Sequence, residues 1–372
     1  MSDLGDRIRE MIAADGPMPV EHFMSLALTH PTLGYYTTRD PLGAAGDFTT
    51  SPEISQMFGE LIGLWAAEVW MNMGAPSVLR LVELGPGRGT LMLDALRAAR
   101  VSPPFLAALD VHLVETSPVL TAVQKTTLKD APAPVAWHGS IADVPDGPAI
   151  VIANEFFDAL PVRQYVKTLQ GWSERVVGLA PDGSLAFGAA PGQEDHIAAA
   201  APDGAVLEVG AIGYRVMLDL ATRLVRQGGA ALIIDYGHAQ TGFGETLQAL
   251  AQHRAVDPLA APGEADLTTH VDFAALARAA RAAGATVVGP VRQADFLRRL
   301  GVAERAESLK RRASPLQAAD IDRALARLTS TTPEPGAGMR AAPGMGELFK
   351  VLAVLQKGLP PAPGFMDATE TA

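Results

Sequence analysis

The run LVELGPGRGTL at residues 81–91 has the residue types and spacing of a small-molecule site. Short apolar residues lead into Gly85-x-Gly87-x-Gly89, and a helical pattern opens straight after. Glycine belongs where the backbone must turn sharply and let a ligand approach the free N–H groups of a helix start. The loop lacks the third glycine of the dinucleotide pattern G-x-G-x-x-G. Glu83, two residues before Gly85, places an acid where the methionine ammonium of S-adenosylmethionine would bind. Arg88, inside the loop, would meet a carboxylate of the ligand or of the protein. The plain alternative is a tight strand–helix turn with no ligand.

A second signal is HLVETSP at 112–118. Glu115 and Thr116 follow an apolar strand, 26 residues beyond Gly89, where an acid accepts both ribose hydroxyls. Taken alone, a carboxylate there is only a helix cap. Ser140, Ile141 and Asp143 follow the next strand, where an adenine edge would lie or an ordinary loop would run.

The third signal is IVIANEFFDALPV at 150–162, an all-apolar strand ending in Asn154-Glu155-Phe156-Phe157-Asp158. Several amino-methylating enzymes carry an Asn/Asp-Pro-Pro-aromatic tetrad at this point, whose oxygens hold the acceptor nitrogen beside a ring. Asn154, which also borders the cofactor, and Phe157 fit its first and fourth positions, while Glu155 and Phe156 replace both prolines. The extra carboxylate suits a guanidinium, which stays charged near neutral pH and must be oriented and relieved of a proton. Asp158 could share that task or merely cap a turn. His270, in ADLTTHVDF at 265–273, is a further candidate acid–base group, and Asp272 is read as the cap of the following helix.

These residues need elements to hold them. Residues 3–14 and Val20–Leu28 have helical apolar spacing. The segment HPTLGYYTTRDPLGAAGDFTTSPE between them and the next helix is long and rich in Gly, Pro and Thr, the texture of a functional cover. Tyr35, Asp47, Thr50 and Ser51 are its candidate substrate or lid residues, with Tyr36 as readily a core aromatic. Thr50-x-x-Glu53 forms a capping-box pattern, so a helix is expected to run from there to about Met73. Strands then alternate with helices: strands at Arg80–Leu84, Asp110–Val114, Val135–His138, Ala149–Ala153 and Ala230–Asp235, helices at Thr90–Ala99, Pro118–Leu128 and Tyr214–Arg226. That order predicts a parallel sheet covered on both faces. A β-hairpin about Pro181-Asp182-Gly183 interrupts it. A loop at 238–270, a helix at 272–283, a strand at Thr286–Val291, helices over roughly Ala294–Leu328 and a last strand at Gly346–Gln356 complete the pattern. The expected division is a cap at 1–75, a main domain at 76–357 with insertions at about 162–190 and 294–330, and a disordered tail at 358–372.

Bulk properties narrow the chemistry. With 30 Lys and Arg against 41 Asp and Glu, the 372-residue chain carries a formal charge of −11. That excess of acid disfavours a general nucleic-acid binder and suits a basic peptide partner. Absence of cysteine excludes disulfides and thiolate metal sites, and none of the eight histidines forms an H-x-x-x-H pair, so no metal is expected. The acidic N-terminus resembles neither a secretory signal nor a presequence, and no run is long enough for a transmembrane helix. A soluble cytoplasmic protein is the expectation.

GYYTTRDPLGAAGDFTTSPEIS, LVELGPGRGTL, NEFFDALPV, ADLTTHVDF and the closing GELFKVLAV together resemble the mitochondrial complex I assembly-factor protein arginine methyltransferase family and its bacterial relatives, over roughly residues 20–355. The resemblance implies a seven-stranded Rossmann-like class I methyltransferase sheet, an α/β fold with its last strand antiparallel and an N-terminal helical cap. It implies transfer of methyl from S-adenosyl-L-methionine to an arginine side chain, giving symmetric dimethylarginine on a quinone-side subunit of NADH:quinone oxidoreductase. The family's glycine loop falls on Gly85, Gly87 and Gly89, its ribose acid on Glu115, and its motif after the fourth strand on Asn154–Asp158. The missing targeting extension favours a bacterial member. Two rivals remain at this level: a nicotinamide-dependent oxidoreductase, for which Glu115 would serve equally well, and a non-catalytic assembly scaffold that binds S-adenosylmethionine. Small-molecule and RNA acceptors are also open.

Overall fold

A computed structural model describes residues 3–40, 50–332 and 343–365. The chain packs as two compact units, each discontinuous in sequence: Met1–Phe48 with Phe157–Val216 and Gln240–Asp272, and Thr49–Phe156 with Met217–Ala239 and Phe273–Ala372. The boundaries expected at 75 and 357 therefore do not describe the packing. The first two helices share an apolar core with the insertion: Leu4, Ile8, Phe23 and Met24 are buried with Val162, Val177 and Leu247. The helix Gln56–Asn72 contributes instead to the other core, burying Phe58, Ile62 and Trp65 with Leu91 and Ala95 of the helix after the glycine loop.

The second unit holds the main sheet. Its strands are β1 (Leu79–Leu84), β2 (Leu109–Val114), β3 (Val135–His138), β4 (Ala149–Asn154), β5 (Gly229–His238), β6 (Thr286–Arg292) and β7 (Phe349–Leu355). They lie in the order β6-β7-β5-β4-β1-β2-β3. Pairing is parallel from β5 through β4, β1 and β2 to β3, and antiparallel where β7 meets β5 and β6. Every residue of β4 is buried, as expected of a central parallel strand covered on both faces. Strand order reverses between β1 and β4, so the loops leaving their carboxyl ends part and open a crevice there. This is the class I methyltransferase arrangement that the motifs implied.

The first unit contains two small sheets. The hairpin about Pro181-Asp182-Gly183 is present, pairing Gly171–Leu179 with Leu185–Ala189. It is part of a five-stranded sheet that also takes Arg163–Thr168, Val206–Val209 and the two residues Met18–Pro19. The stretch 238–270, expected as loop, holds a three-stranded sheet of Gln248–Ala251, Arg254–Val256 and Asp266–Thr268. Its strands are only three or four residues long, too short to display an alternating pattern.

Three other expectations are corrected. Thr50 makes no side-chain cap; a four-residue helix, Ser51–Ile54, stops at Ser55, whose extended backbone (φ −163°) breaks it. Ser55 then caps the long helix by accepting from the Met57 N–H at 3.2 Å. The last strand starts at Phe349, after a helical turn at Met345–Leu348. The tail is not wholly loose: Ala362 and Phe365 are buried, and the Trp65 indole donates to the Pro363 carbonyl at 3.2 Å. Residues 366–372 lie outside the described chain. Among the described residues no helix is long and apolar enough to cross a membrane.

Candidate functional site

The second unit gathers most of the expected cofactor residues at the carboxyl ends of β1, β2 and β4. Gly85, Gly87 and Gly89 all have positive φ, at 59°, 53° and 82°. A Cβ on Gly85 would stand 2.9 Å from Phe156 Cδ2, so a side chain is excluded there by both conformation and space. Gly89, in a left-handed conformation, caps the helix Thr90–Ala99 with no side-chain hydrogen bond to its first N–H groups. Arg88 meets a protein carboxylate, Glu53 Oε2, at 4.0 Å.

Glu83 ends β1 two residues before the turn and is only 3% exposed. Its Oε2 has no hydrogen-bond partner among the described residues. Burial pushes the carboxyl up from 4.5 to about 8. A buried acid that lacks a partner is costly, and a cation docking there would relieve that cost.

Glu115 is fastened by the protein's own donors. Its Oε1 accepts from the Ser117 N–H at 2.7 Å and its Oε2 from the Gln124 amide at 3.0 Å. Burial raises its pKa, while the hydrogen bonds from Ser117, Gln124 and the Thr116 backbone oppose the rise. Thr116 itself is exposed. The Glu115 N–H pairs with the His138 carbonyl at the end of β3, which brings the Ser140–Ile141 turn close by. Ser140 Oγ accepts from the Ala142 N–H at 3.2 Å and shapes that turn.

At the end of β4, Asn154 is buried and its Oδ1 lacks a partner among the described residues. Its Nδ2 donates to Glu155 Oε1 at 3.0 Å, and the same oxygen accepts from the Ser51 N–H at 2.9 Å. Glu155 has φ +50°, a strained backbone for a residue with a side chain. The next two rings have different neighbours. Phe156, not Phe157, lies over the glycine loop, whereas Phe157 is buried in the first unit, where a Cβ on Gly213 would touch it at 3.5 Å. Phe157 had been expected beside the acceptor, and the residue is 5% exposed.

The remaining expected residues belong to the first unit. Asp158 is buried, and its carbonyl accepts from the Thr269 N–H. Tyr35 is fully buried, and the Tyr36 hydroxyl donates to Asp266 at 2.7 Å. Burial, then Asp266 and Asp158, push the Tyr36 phenol well above its ordinary range. The half-buried His270 donates its N–H to the Thr246 hydroxyl at 2.8 Å. Asp272 accepts from the Thr241 hydroxyl. Thr50 lies with the second unit, and Asp47 lies outside the described residues.

Two side chains at the site escaped sequence reading. Asp235, fully buried on β5, accepts from the Phe156 N–H at 3.2 Å and so holds the turn after Glu155. A lone acid closing the apolar run AALII was its visible signal. Gln124 is also fully buried, between the glycine loop and Glu115, and no local motif announces it.

Known proteins agree with this geometry. The family model for S-adenosyl-L-methionine-dependent methyltransferases matches residues 61–291, which include every element of the cofactor crevice. The chain belongs to this methyltransferase family. It is 40% identical over 333 residues to protein arginine methyltransferase NDUFAF7, mitochondrial, of Danio rerio, covering 80% of this chain and 76% of that one. The human protein of the same name is 39% identical, with 78% and 71% covered. A Burkholderia thailandensis protein solved bound to S-adenosyl-homocysteine superimposes with a TM-score of 0.82 at 28% identity, covering 97% of this chain and 93% of that one. The methyltransferase therefore uses S-adenosyl-L-methionine, and the nicotinamide reading is set aside. Its residues fit that cofactor: Glu83 for the ammonium, the glycine turn for the close backbone approach, and Glu115 for the ribose.

Proposed function

We propose that this methyltransferase modifies an arginine side chain of a protein, and that its target is a quinone-side subunit of NADH:quinone oxidoreductase in a bacterial cytoplasm, carried to symmetric dimethylarginine. The observation that carries the arginine reading is Glu155, a carboxylate held by the Ser51 N–H and the Asn154 amide at the end of β4. A guanidinium presents a planar fork of donors that a fixed carboxylate can grip, and a neutral amide does not. The relatives named protein arginine methyltransferases support the same acceptor. The choice of a respiratory subunit rests on the family resemblance carried by the five sequence motifs.

The cofactor supplies an electrophilic methyl group on sulfur. Glu83, the glycine loop and Glu115 hold it by its ammonium, backbone and ribose, and Asn154 Oδ1 offers a second acceptor beside it. Glu155 orients the guanidinium so that one terminal nitrogen faces the methyl in line. As the N–C bond forms and the S–C bond breaks, the nitrogen's proton passes to the Glu155 carboxylate, and S-adenosylhomocysteine leaves. A symmetric product needs a second round on the other terminal nitrogen. Positioning supplies most of the acceleration in such a displacement.

The test is mass spectrometry of membrane-complex subunits from a strain deleted for this gene. Loss of a symmetric dimethylarginine from one quinone-side subunit, restored by the intact gene, is the expected result. An unchanged set of methylated arginines, with a methylated lysine, small molecule or RNA lost instead, would replace the arginine reading.

A further inference from the structure

Gln124 lies on the buried stripe of the helix Pro118–Thr127, one turn beyond Leu120, at a position where a leucine would ordinarily pack. It is fully buried, and its amide is engaged at both ends. Nε2 donates to the Gly87 carbonyl at 2.8 Å and to Glu115 Oε2 at 3.0 Å, while Oε1 accepts from the Trp137 indole at 3.0 Å. These partners fix its orientation. Turned over, the amide would set its oxygen against a carbonyl and a carboxylate, and its NH₂ against an indole N–H.

The three partners come from three places: the glycine loop after β1, the acid after β2, and β3. Among the described residues no other hydrogen bond ties Gly87 to Glu115. The carboxylate alone would be free to swing about its side-chain torsions, and ordering it during binding would cost affinity. The helix start adds a second hold, since the Ser117 N–H donates to the other Glu115 oxygen.

We propose that Gln124 is a positioning residue for the cofactor, locking the glycine turn and the ribose acid into one preassembled unit without touching the ligand itself. The inference rests on the reading of Glu115 as the ribose acid. It predicts that a side chain behind the binding surface sets affinity, and that it does so through Glu115.

Titration calorimetry with S-adenosylhomocysteine on the full chain tests this. Gln124→Met keeps length and apolar packing but removes all three hydrogen bonds. Its affinity should fall about tenfold, the scale of a hydrogen bond to a charged group. Glu115→Gln should weaken binding at least as much. The double variant should lose less than the product of the two single losses, because the hold on Glu115 is already gone and only that on Gly87 remains; a residue that only stabilises the fold would not show this coupling. Should Gln124→Met fail to fold, Gln124→Glu, of the same size, loses both donors and sets a second carboxylate beside Glu115, with the same loss expected at pH 7.5. Unchanged affinity in a folded Gln124 variant would overturn the proposal, as would losses that multiply in the double variant. Unchanged affinity in Glu115→Gln would overturn both the ribose assignment and the proposal built on it.

Discussion

At the residue scale, the two acids Glu155 and Glu83 have opposite requirements. Glu155 Oε1 is held by two donors, one from the backbone and one from its neighbour, which favours a fixed carboxylate ready to receive a cation. Glu155→Gln preserves the shape and can still accept from Ser51. Binding of S-adenosylhomocysteine should therefore stay within about threefold, while single-turnover methyl transfer to a purified target subunit falls by about 10²–10⁴-fold, the usual contribution of a positioned acid–base group. Transfer at the wild-type rate would remove Glu155 from the mechanism.

Glu83 is instead buried, which favours its neutral form. Its folded pKa is about 8 against an ordinary 4.5, raised by burial. Below the ordinary value both folded and unfolded chains carry the proton, so the acid costs nothing extra. As pH rises toward 8 the unfolded chain ionises and the folded one cannot follow, and stability is lost by an amount on the order of a few kcal/mol. Unfolding of the free protein by urea should therefore become easier between pH 5 and pH 8, and Glu83→Gln should flatten that trend. Docking of the ligand ammonium reverses the preference, so binding at pH 7 should release up to one proton. Calorimetry in two buffers of different ionisation enthalpy reads that number directly. Equal heats in both buffers for the wild-type protein would show Glu83 already ionised.

At the scale of elements, the short helix Ser51–Ile54 is the piece whose role changed most between pattern and packing. Its Thr50 and Glu53 read as a capping box, yet Glu53 Oε1 accepts from the Thr90 hydroxyl and Oε2 faces Arg88. The Ser51 N–H meanwhile reaches Glu155. One turn of helix thus touches both the start of the glycine-loop helix and the carboxylate proposed to hold the acceptor. Hydrogen exchange should slow at residues 51–57 when S-adenosylhomocysteine binds, and Glu53→Gln should reduce that protection. Identical exchange with and without ligand would make this turn a packing element alone.

At the scale of the whole chain, the C-terminal segment closes the core of the second unit. Phe365 packs against Phe296 at a tilt, with ring centroids 5.4 Å apart, and Trp65 is anchored to Pro363. Removing residues 359–372 would expose that core and forfeit about 2–3 kcal/mol for the phenylalanine alone. For that loss alone the thermal midpoint should drop by about 3–4 °C in a protein of this size, measured by calorimetry with and without S-adenosylhomocysteine. An unchanged midpoint would restore the reading of this segment as a loose tail. The same unit is tied on its other side by Glu60, buried and bonded to both Arg97 and Arg305. That contact fastens the helical insertion to the long helix, and its pieces stand 245 residues apart in sequence.

The local features were legible because their physics is local. A continuous apolar run bounded by a sharp turn is a buried parallel strand whatever surrounds it, so β1 to β5 and the helices Thr90–Ala99, Pro118–Thr127 and Ala211–Gln227 could be read within a few residues, whereas the short helix Pro103–Ala108 could not. Glycines at 85, 87 and 89 announce a turn that only glycine tolerates, and an acid after each of two strands announces a ligand. Contacts between distant segments left no such mark. Gln124 looks like any polar helix residue until Gly87, Glu115 and Trp137 converge on it. The adjacent rings of Phe156 and Phe157 look interchangeable in sequence, yet one packs against Gly85 and the other against Gly213. Which unit claims residues 3–38 and which claims 50–72 depends on apolar faces meeting across more than a hundred residues. The sequence by itself determined the sheet and the glycine turn and marked Glu83, Glu115 and Glu155 as candidate acids, since each follows from the chain's own backbone and patterning. Tertiary structure alone decided how those acids are held, because a hydrogen bond between remote groups exists only once the intervening chain has folded.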